Sequence, residues 1–291
     1  MQKISQSFIK SFRDYKNGDE CGLLIKHQYA DGKLLDRYSH DMALGSYFEY
    51  VLTGALPKNG KIPLAEYTVT GQKKSPADRK ISDMTTHYQR AHWNAGVVRN
   101  YLQIDLGLEF VHIGKRLTKG RFEGTLDLIC RVTKSITFED GTEWKVGDMI
   151  VIDIKYSGLL HNRWEKHGWM WSDIQKEYHG TQAMQYNFVS ELPFYFLVVG
   201  NSNNEIPNYR GGGFEPTEIK FMFVPITEEM TARHIRQANA LAKELEVDKE
   251  IGFVARPDFI RCGKCPLFEG CDRKHTYPHP KSVDLTITRT W

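Results

Sequence analysis

The sequence has no long apolar run. No stretch approaches the roughly 18 apolar residues of a membrane-spanning helix. The opening segment, residues 1–20, also lacks the uninterrupted apolar core of a secretory signal. There is little excess of charge: 39 Lys and Arg stand against 36 Asp and Glu, a formal net charge of +3. A strongly basic nucleic-acid binder would show itself in that balance, although a locally basic groove can lie inside a near-neutral chain. Internal repeats and low-complexity tracts are missing. So is G-x4-G-K-[ST], which removes a nucleotide-driven motor, and Gly211-Gly212-Gly213 lacks the strand–turn–helix setting of a phosphate loop. Without H-E-x-x-H or G-x-S-x-G, metalloprotease and serine-hydrolase readings have no motif. Cysteine is sparse, at five. The chain reads as soluble and cytoplasmic, and there cysteines serve metal binding or catalysis more often than disulfides.

What is present is ordinary globular composition. With 291 residues, 41% of them hydrophobic, the chain can bury a core unaided as one large domain or two small ones. Helical spacing runs over Ile4 to Tyr15, Asp41 to Leu52, Asp83 to Leu102 and Asp173 to Glu191, with another helix from Thr227 to about Leu245. Residues 55–76 look like an irregular connection. Strands are expected over Leu108 to Arg116, Phe122 to Val132, Met149 to Tyr156, Phe194 to Val199 and Ile219 to Ile226, with a hairpin at Asp140-Gly141. The order predicts an α/β or α+β fold: one mixed sheet wrapped by a helical N-terminal part.

Two segments carry the chemistry. Glu123-Gly124-Thr125-Leu126-Asp127 is followed by Ile152-Asp153-Ile154-Lys155. Strand side chains alternate, so Asp153 and Lys155 share one face while Ile152 and Ile154 pack on the other. Burying a lone carboxylate or ammonium in an apolar strand is costly. A divalent ion gives one reason for it: Asp127 and Asp153 from adjacent strands, with the Ile154 carbonyl, can ligate Mg2+ or Mn2+. Lys155 can then orient a water or steady charge on a phosphate. The plain alternative is an ion pair on a half-exposed sheet face. Gln182 and Tyr186 lie four residues apart, hence on one helix face, where an amide and a phenol can meet a phosphate or position a carboxylate.

In this order, Gly-x-x-Asp, Asp-x-Lys and Gln-x3-Tyr resemble the PD-(D/E)XK nuclease superfamily in its RecB-like exonuclease branch. The resemblance implies a restriction-endonuclease-like mixed sheet flanked by helices and metal-dependent phosphodiester hydrolysis. It makes Asp127 and Asp153 metal ligands, Lys155 the catalytic lysine, and Gln182 and Tyr186 an accessory pair. The family's earlier helix motif is best matched by Gly45-Ser46-Tyr47-Phe48-Glu49, which nominates Glu49; Phe48 stands where many relatives carry His.

Cys262, Cys265 and Cys271 form C-x2-C-x5-C, too close for chance, and need a fourth ligand. Four thiolates suit zinc as well as an iron–sulfur cluster. Cys21 follows the first helix as the first Cys does in iron–sulfur RecB-like nucleases, including AddB-type helicase–nucleases and those of CRISPR adaptation. The resemblance therefore implies a 4Fe–4S cluster on Cys21, Cys262, Cys265 and Cys271, with Cys130 a small core residue. It also implies one integrated domain: a helical region 1–106 supplying Cys21 and Glu49, a nuclease core over 107–247, and a Cys-rich segment over 248–291. The expected activity is an ATP-independent DNA exonuclease in recombination, repair, phage DNA processing or CRISPR adaptation. Its partners would be DNA ends, proteins of those pathways and further copies of the chain. Two alternatives remain: a degenerate iron–sulfur subunit that binds DNA or docks a partner, and a zinc-stapled structural protein.

Two further groups have open readings. Trp164, Trp169 and Trp171 alternate with Arg163 and Lys166 in residues 156–175; they can stack DNA bases or pack a lid. Lys115, Arg116, Lys119 and Arg121 can contact phosphates or form a solvated basic turn.

Overall fold

The computed structural model describes residues 3–33, 39–56, 81, 84–138, 141–201, 218–257, 262 and 265–271. The chain forms two compact units, Met1–Lys10 with Tyr38–Glu244, and Ser11–Arg37 with Leu245–Trp291. The helices are α1 (Gln6–Asn17), α2 (Gly22–Ile25), α3 (His40–Thr53), α4 (Thr86–Asn100), α5 (Asp173–Ser190) and α6 (Glu228–Ile251). One π-helical turn follows α2 and another follows α4. The strands are β1 (Leu108–Lys119), β2 (Phe122–Val132), β3 (Ile136–Thr137), β4 (Glu143–Trp144), β5 (Met149–Ser157), β6 (Phe194–Gly200) and β7 (Ile219–Phe223).

The first unit is built on a five-stranded sheet in the order β1-β2-β5-β6-β7. β5 and β6 run parallel and the other neighbours antiparallel. A parallel pair needs a crossover, and α5 supplies it between β5 and β6. Each sheet face carries its own core. Ile150, Ile152 and Ile154 of β5 pack with Leu44, Phe48 and Leu52 of α3 and with Tyr88, Ala91 and Val98 of α4. On the opposite face, Val151, Phe194, Phe196 and Val198 pack with Ala183 and Tyr186 of α5. β6 is buried along its whole length, which fits its unbroken apolar sequence and places it inside the sheet.

Local signals hold the flanking helices. Ser39 accepts a bond from the Met42 amide at the start of α3, and Gly54 ends that helix at φ 77°. Arg99 of α4 donates to the carbonyls of Leu52 (2.8 Å) and Val51, satisfying groups the helix end leaves open. Ser172 and Gln175 close a capping box on α5.

The expected mixed sheet flanked by helices is therefore the observed fold. The elements differ from the sequence reading mainly at their ends. α6 runs on to Ile251, where Gly252 at φ 94° stops it. β7 ends at Phe223, short of Ile226. α4 begins at Thr86; the expected start, Asp83, lies outside the described residues, as do 57–76, Asp140 and Gly211 to Gly213. β3 and β4 pair on either side of Gly141, which sits at φ 83° as a tight hairpin requires.

Candidate active site

The site forms where the sheet forks. The β2–β5 ladder runs from Arg131 opposite Met149 to Leu128 opposite Ile152, and ends there. Asp127 and Asp153 are the next residues on their strands. Asp127 Oδ2 accepts a 2.9 Å bond from the Ile154 amide, standing in for the ladder acceptor that β2 no longer offers. The N–H and C=O of one strand residue point to the same side. The Ile154 carbonyl is therefore also directed toward Asp127.

Asp153 and Lys155 share the α5 face as strand alternation requires, while Ile152 and Ile154 enter the opposite core. The Asp153 carboxylate is almost fully buried, at 1% exposure. Its Oδ1 accepts a 2.6 Å bond from Gln182 Nε2, and its Oδ2 lies 2.5 Å from Lys155 Nζ.

The buried faces of β2 switch at Asp127. Leu126 packs on the α5 face and Leu128 on the α3–α4 face, although residues two apart in a flat strand share a face. β1 behaves likewise: Leu117 packs on one face and Ile113 on the other. Gly114 lies between the pairs Ile113–Leu128 and Lys115–Leu126, opposite Asp127, at φ 60°. A residue with a side chain is strained there. The sequence reading missed this switch; the signal was a glycine inside an otherwise good strand.

Gln182 lies one turn from Tyr186 along α5, near enough that its amide opposes the rise in the phenol's pKa. The Tyr186 ring rests on Gly124. A Cβ at Gly124 would lie 2.9 and 3.0 Å from two Tyr186 ring carbons and 3.3 Å from Val189 Cγ2. Gly-x-x-Asp and Gln-x3-Tyr are thus two halves of one packing contact. Gly124→Ala is expected to lose about 1–3 kcal/mol of stability through overpacking. Adding Tyr186→Leu should restore much of that loss. Urea unfolding of the three proteins checks it, and an Ala variant as stable as the parent would show that the ring has room to move.

Charge is concentrated at the fork. Burial, then the negative Asp153 and Glu49, hold the Asp127 carboxyl well above the usual carboxylate range; Lys155 and the Ile154 amide oppose this. Burial disfavours the Lys155 ammonium, but Asp153, Asp127 and Glu49 outweigh it and keep its pKa raised. Burial, then Asp153 and Asp127, push the Tyr186 phenol up. Glu49, half-buried on α3, is therefore within electrostatic reach of Asp127, Lys155 and Tyr186. Its neighbour Phe48 stacks on Tyr156 of β5 at 4.4 Å, holding α3 against the strand.

Asp127 and Asp153 bring two carboxylates, hard oxygen donors of the kind Mg2+ takes, to the fork. Among the described residues, no three His, Cys, Asp or Glu side chains stand as a group that could hold an ion by themselves. Asp127, Asp153 and the Ile154 carbonyl would make an open set of ligands, the kind Mg2+ completes with water.

Residues 156–175 divide their tryptophans. Trp169 is buried, stacked on His179 at 3.8 Å and edge-on to Phe196. Trp171 donates from Nε1 to Met222 Sδ at 3.2 Å. Trp164 is 83% exposed. Packing therefore accounts for two of the three. Of the basic turn, Arg116 pairs with Glu123 at 2.6 Å, Lys119 with Glu191, and Arg121 with Asn239, while Lys115 is exposed.

His179 is a consequence of this packing. Its Nε2 lies 3.2 Å from the Gly168 carbonyl. Burial, then the charge of Lys10, push the imidazole down from 6.5 to about 3. The unfolded chain takes up this proton near pH 6.5 and the folded chain near pH 3. Stability from neutral His179 is thus fully present above pH 6.5 and is lost on acidification, by at most about 1.4 kcal/mol per pH unit. His179→Phe keeps an aromatic ring and cannot titrate. It should flatten the stability profile between pH 6.5 and 5 by about 1–2 kcal/mol in urea titrations. Identical slopes for the two proteins would mean that His179 is solvated.

In the second unit, Cys21, Cys262, Cys265 and Cys271 line one cavity with Leu23, Leu24, Arg256, Pro257, Leu267 and Phe268. The Gly22 amide donates to the Val254 carbonyl (2.9 Å), and the Arg256 amide to Cys21 Sγ (3.4 Å), across 235 residues of sequence. Burial raises the Cys265 thiol, and so do Cys21, Cys262 and Cys271 around it. Cys130 lies instead in the core beneath α3 and α4, where burial pushes its thiol up to about 12.

The fold and the fork define an α/β protein with a five-stranded mixed sheet and a carboxylate–lysine cluster at the open end of β5. No protein family matches the sequence, and no curated protein is similar enough to align with it. The structure is similar to that of a protein from Eubacterium rectale described as a putative exonuclease: TM-score 0.55, 14% identity, covering 95% of this chain and 90% of that one. SSO0001 is a more distant match, with TM-score 0.30 and 14% identity over 66% of this chain and 77% of that one. The first similarity shows a shared fold. Among the described residues, no helix is long and apolar enough to cross a membrane.

Proposed function

We propose that this protein is a metal-dependent deoxyribonuclease acting at DNA ends, of the RecB-like PD-(D/E)XK type, with a 4Fe–4S cluster. The observation that carries the reading is the fork: a nearly fully buried Asp153, hydrogen-bonded to Gln182 and ion-paired with Lys155, beside an Asp127 turned toward the Ile154 backbone. An ion pair on a half-exposed face would not need an amide to orient the carboxylate.

Asp127, Asp153 and the Ile154 carbonyl would hold Mg2+ or Mn2+, which when bound neutralises phosphate charge and acidifies water. The residues do the rest. Gln182 fixes the Asp153 carboxylate in one rotamer, so its charge is in place before substrate arrives. Lys155, kept cationic by Asp153, presents Nζ to phosphoryl oxygens as they gain charge. Tyr186, kept neutral, packs its ring on Gly124 beside Gln182. Glu49 adds negative charge beside Asp127 and raises the demand for a cation. Cys21, Cys262, Cys265 and Cys271 would hold the cluster, which supplies a cross-link between distant parts of the sequence. They line one cavity of the second unit.

The test is digestion of end-labelled linear and closed circular DNA, single- and double-stranded, with Mg2+ or Mn2+ and no ATP. Hydrolysis of linear DNA with circular DNA spared is the expected result. No hydrolysis with either ion overturns the reading.

A further inference from the structure

We propose that Trp164 is a stacking platform for an unpaired nucleobase, so that the DNA this protein engages carries a single-stranded segment. The proposal rests on the nuclease reading for the class of ligand and extends it to the state of the strand.

The argument starts from the contrast within one segment. Trp169 and Trp171 pack against the body, yet Trp164 presents 83% of its surface to solvent. An exposed indole on a loose loop would call for no explanation. This one sits on a turn tied down at many points. Asn162 Oδ1 accepts from the amides of Trp164 (2.9 Å) and Glu165 (2.8 Å). Gln175 Nε2 of α5 donates to the carbonyls of Asn162 (2.7 Å) and Glu165 (3.1 Å), and those carbonyls also accept from Met170 and Gly168. A Cβ at Gly168 would collide with the Asn162 carbonyl oxygen, so the turn closes tightly. Three residues bearing polar or small side chains thus hold the backbone that projects an apolar ring into water. The ordering entropy of a binding surface is spent during folding.

The surroundings select the ligand. The Arg163 guanidinium lies 5.8 Å from the Trp164 ring, and Arg163 and Lys166 are both exposed. The one acid on the turn, Glu165, folds its carboxylate back onto the His167 amide at 2.9 Å. An aromatic face with flanking cations matches a base attached to a phosphodiester. The segment also leaves β5 directly after Lys155 and Tyr156, and it is anchored through Trp169 on His179, whose imidazole feels the Lys155 charge. In a duplex each base already stacks on its neighbours, so this platform serves unpaired bases.

The experiment measures fluorescence anisotropy of end-labelled oligothymidylate and of a blunt duplex of equal length, with the full chain in EDTA. Trp164→Ala should weaken single-strand binding about tenfold or more, change duplex binding less than about twofold, and leave the melting temperature unaltered. Trp164→Phe should recover most of the affinity. The proposal is overturned by unaltered single-strand affinity in Trp164→Ala, by an equal loss on the duplex, by a Phe variant as weak as Ala, or by an unsubstituted chain that does not bind single strands. Hydrolysis is scored separately. Cleavage with unaltered Trp164→Ala affinity sinks this proposal alone; the expected binding pattern with no cleavage sinks the nuclease reading alone.

Discussion

Asp153→Asn and Lys155→Gln are each expected to lower hydrolysis of linear DNA by about 10²–10⁴-fold, the range for removing a positioned catalytic group. The difficulty is that either change also breaks a buried pair. Asp153 is 1% exposed, so Lys155→Gln strands a carboxylate in an apolar core, which costs several kcal/mol. Activity alone would then confuse chemistry with unfolding. The double variant Asp153→Asn/Lys155→Gln separates them. It removes both charges while keeping the shapes, and the introduced asparagine would still offer Gln182 a carbonyl. It should regain much of the stability lost in Lys155→Gln and none of the activity. Rates and urea midpoints measured on the three proteins decide. Near-normal cleavage in both single variants would remove this site from the chemistry, and a stable but inactive double variant would place it there.

Cys21→Ala should have the second largest effect, on cofactor and stability together. Protein prepared without air is expected to be brown and to carry about four irons per chain. Cys21→Ala should lose colour and iron as fully as Cys265→Ala, because three thiolates leave the ligand set incomplete. It should also lower the melting temperature, since Cys21 links residues more than two hundred positions away. Cys130→Ala should keep the colour, its thiol being sealed in the other unit's core. Iron analysis and visible absorption read the outcome. Stoichiometric zinc in the unsubstituted protein would overturn the cluster, and a Cys21 variant with full iron would show that another residue is the fourth ligand.

Where a feature depends on local periodicity, it was legible in the sequence. Ile152 and Ile154 against Asp153 and Lys155 state which face β5 turns to each core, because side chains alternate along any strand. Gln182 and Tyr186 declare one helix face for the same kind of reason. The expected ends of the first two helices, Tyr15 and Leu52, fall within two residues of the observed Asn17 and Thr53. The ambiguity left in the sequence lay in segments with several tolerable environments. Trp164, Trp169 and Trp171 have the same chemistry and similar neighbours in sequence, so nothing local separates the one in solvent from the two against the core.

The sequence by itself determined the strands, the helices and the list of residues able to do chemistry, since these follow from spacing along one chain. Only the tertiary structure decided how those residues meet. Asp127 lies where the buried faces of β2 switch, opposite Gly114 at positive φ on the neighbouring strand. Gly124 is needed because a ring from α5 lies against it. Glu49 counts because α3 is held on β5 by Phe48 and Tyr156. Cys21 joins three cysteines from the other end of the sequence in one cavity wall. Each of these depends on which elements become neighbours in space, and that is settled by packing across both faces of the sheet and within the second unit rather than by any periodicity along the chain.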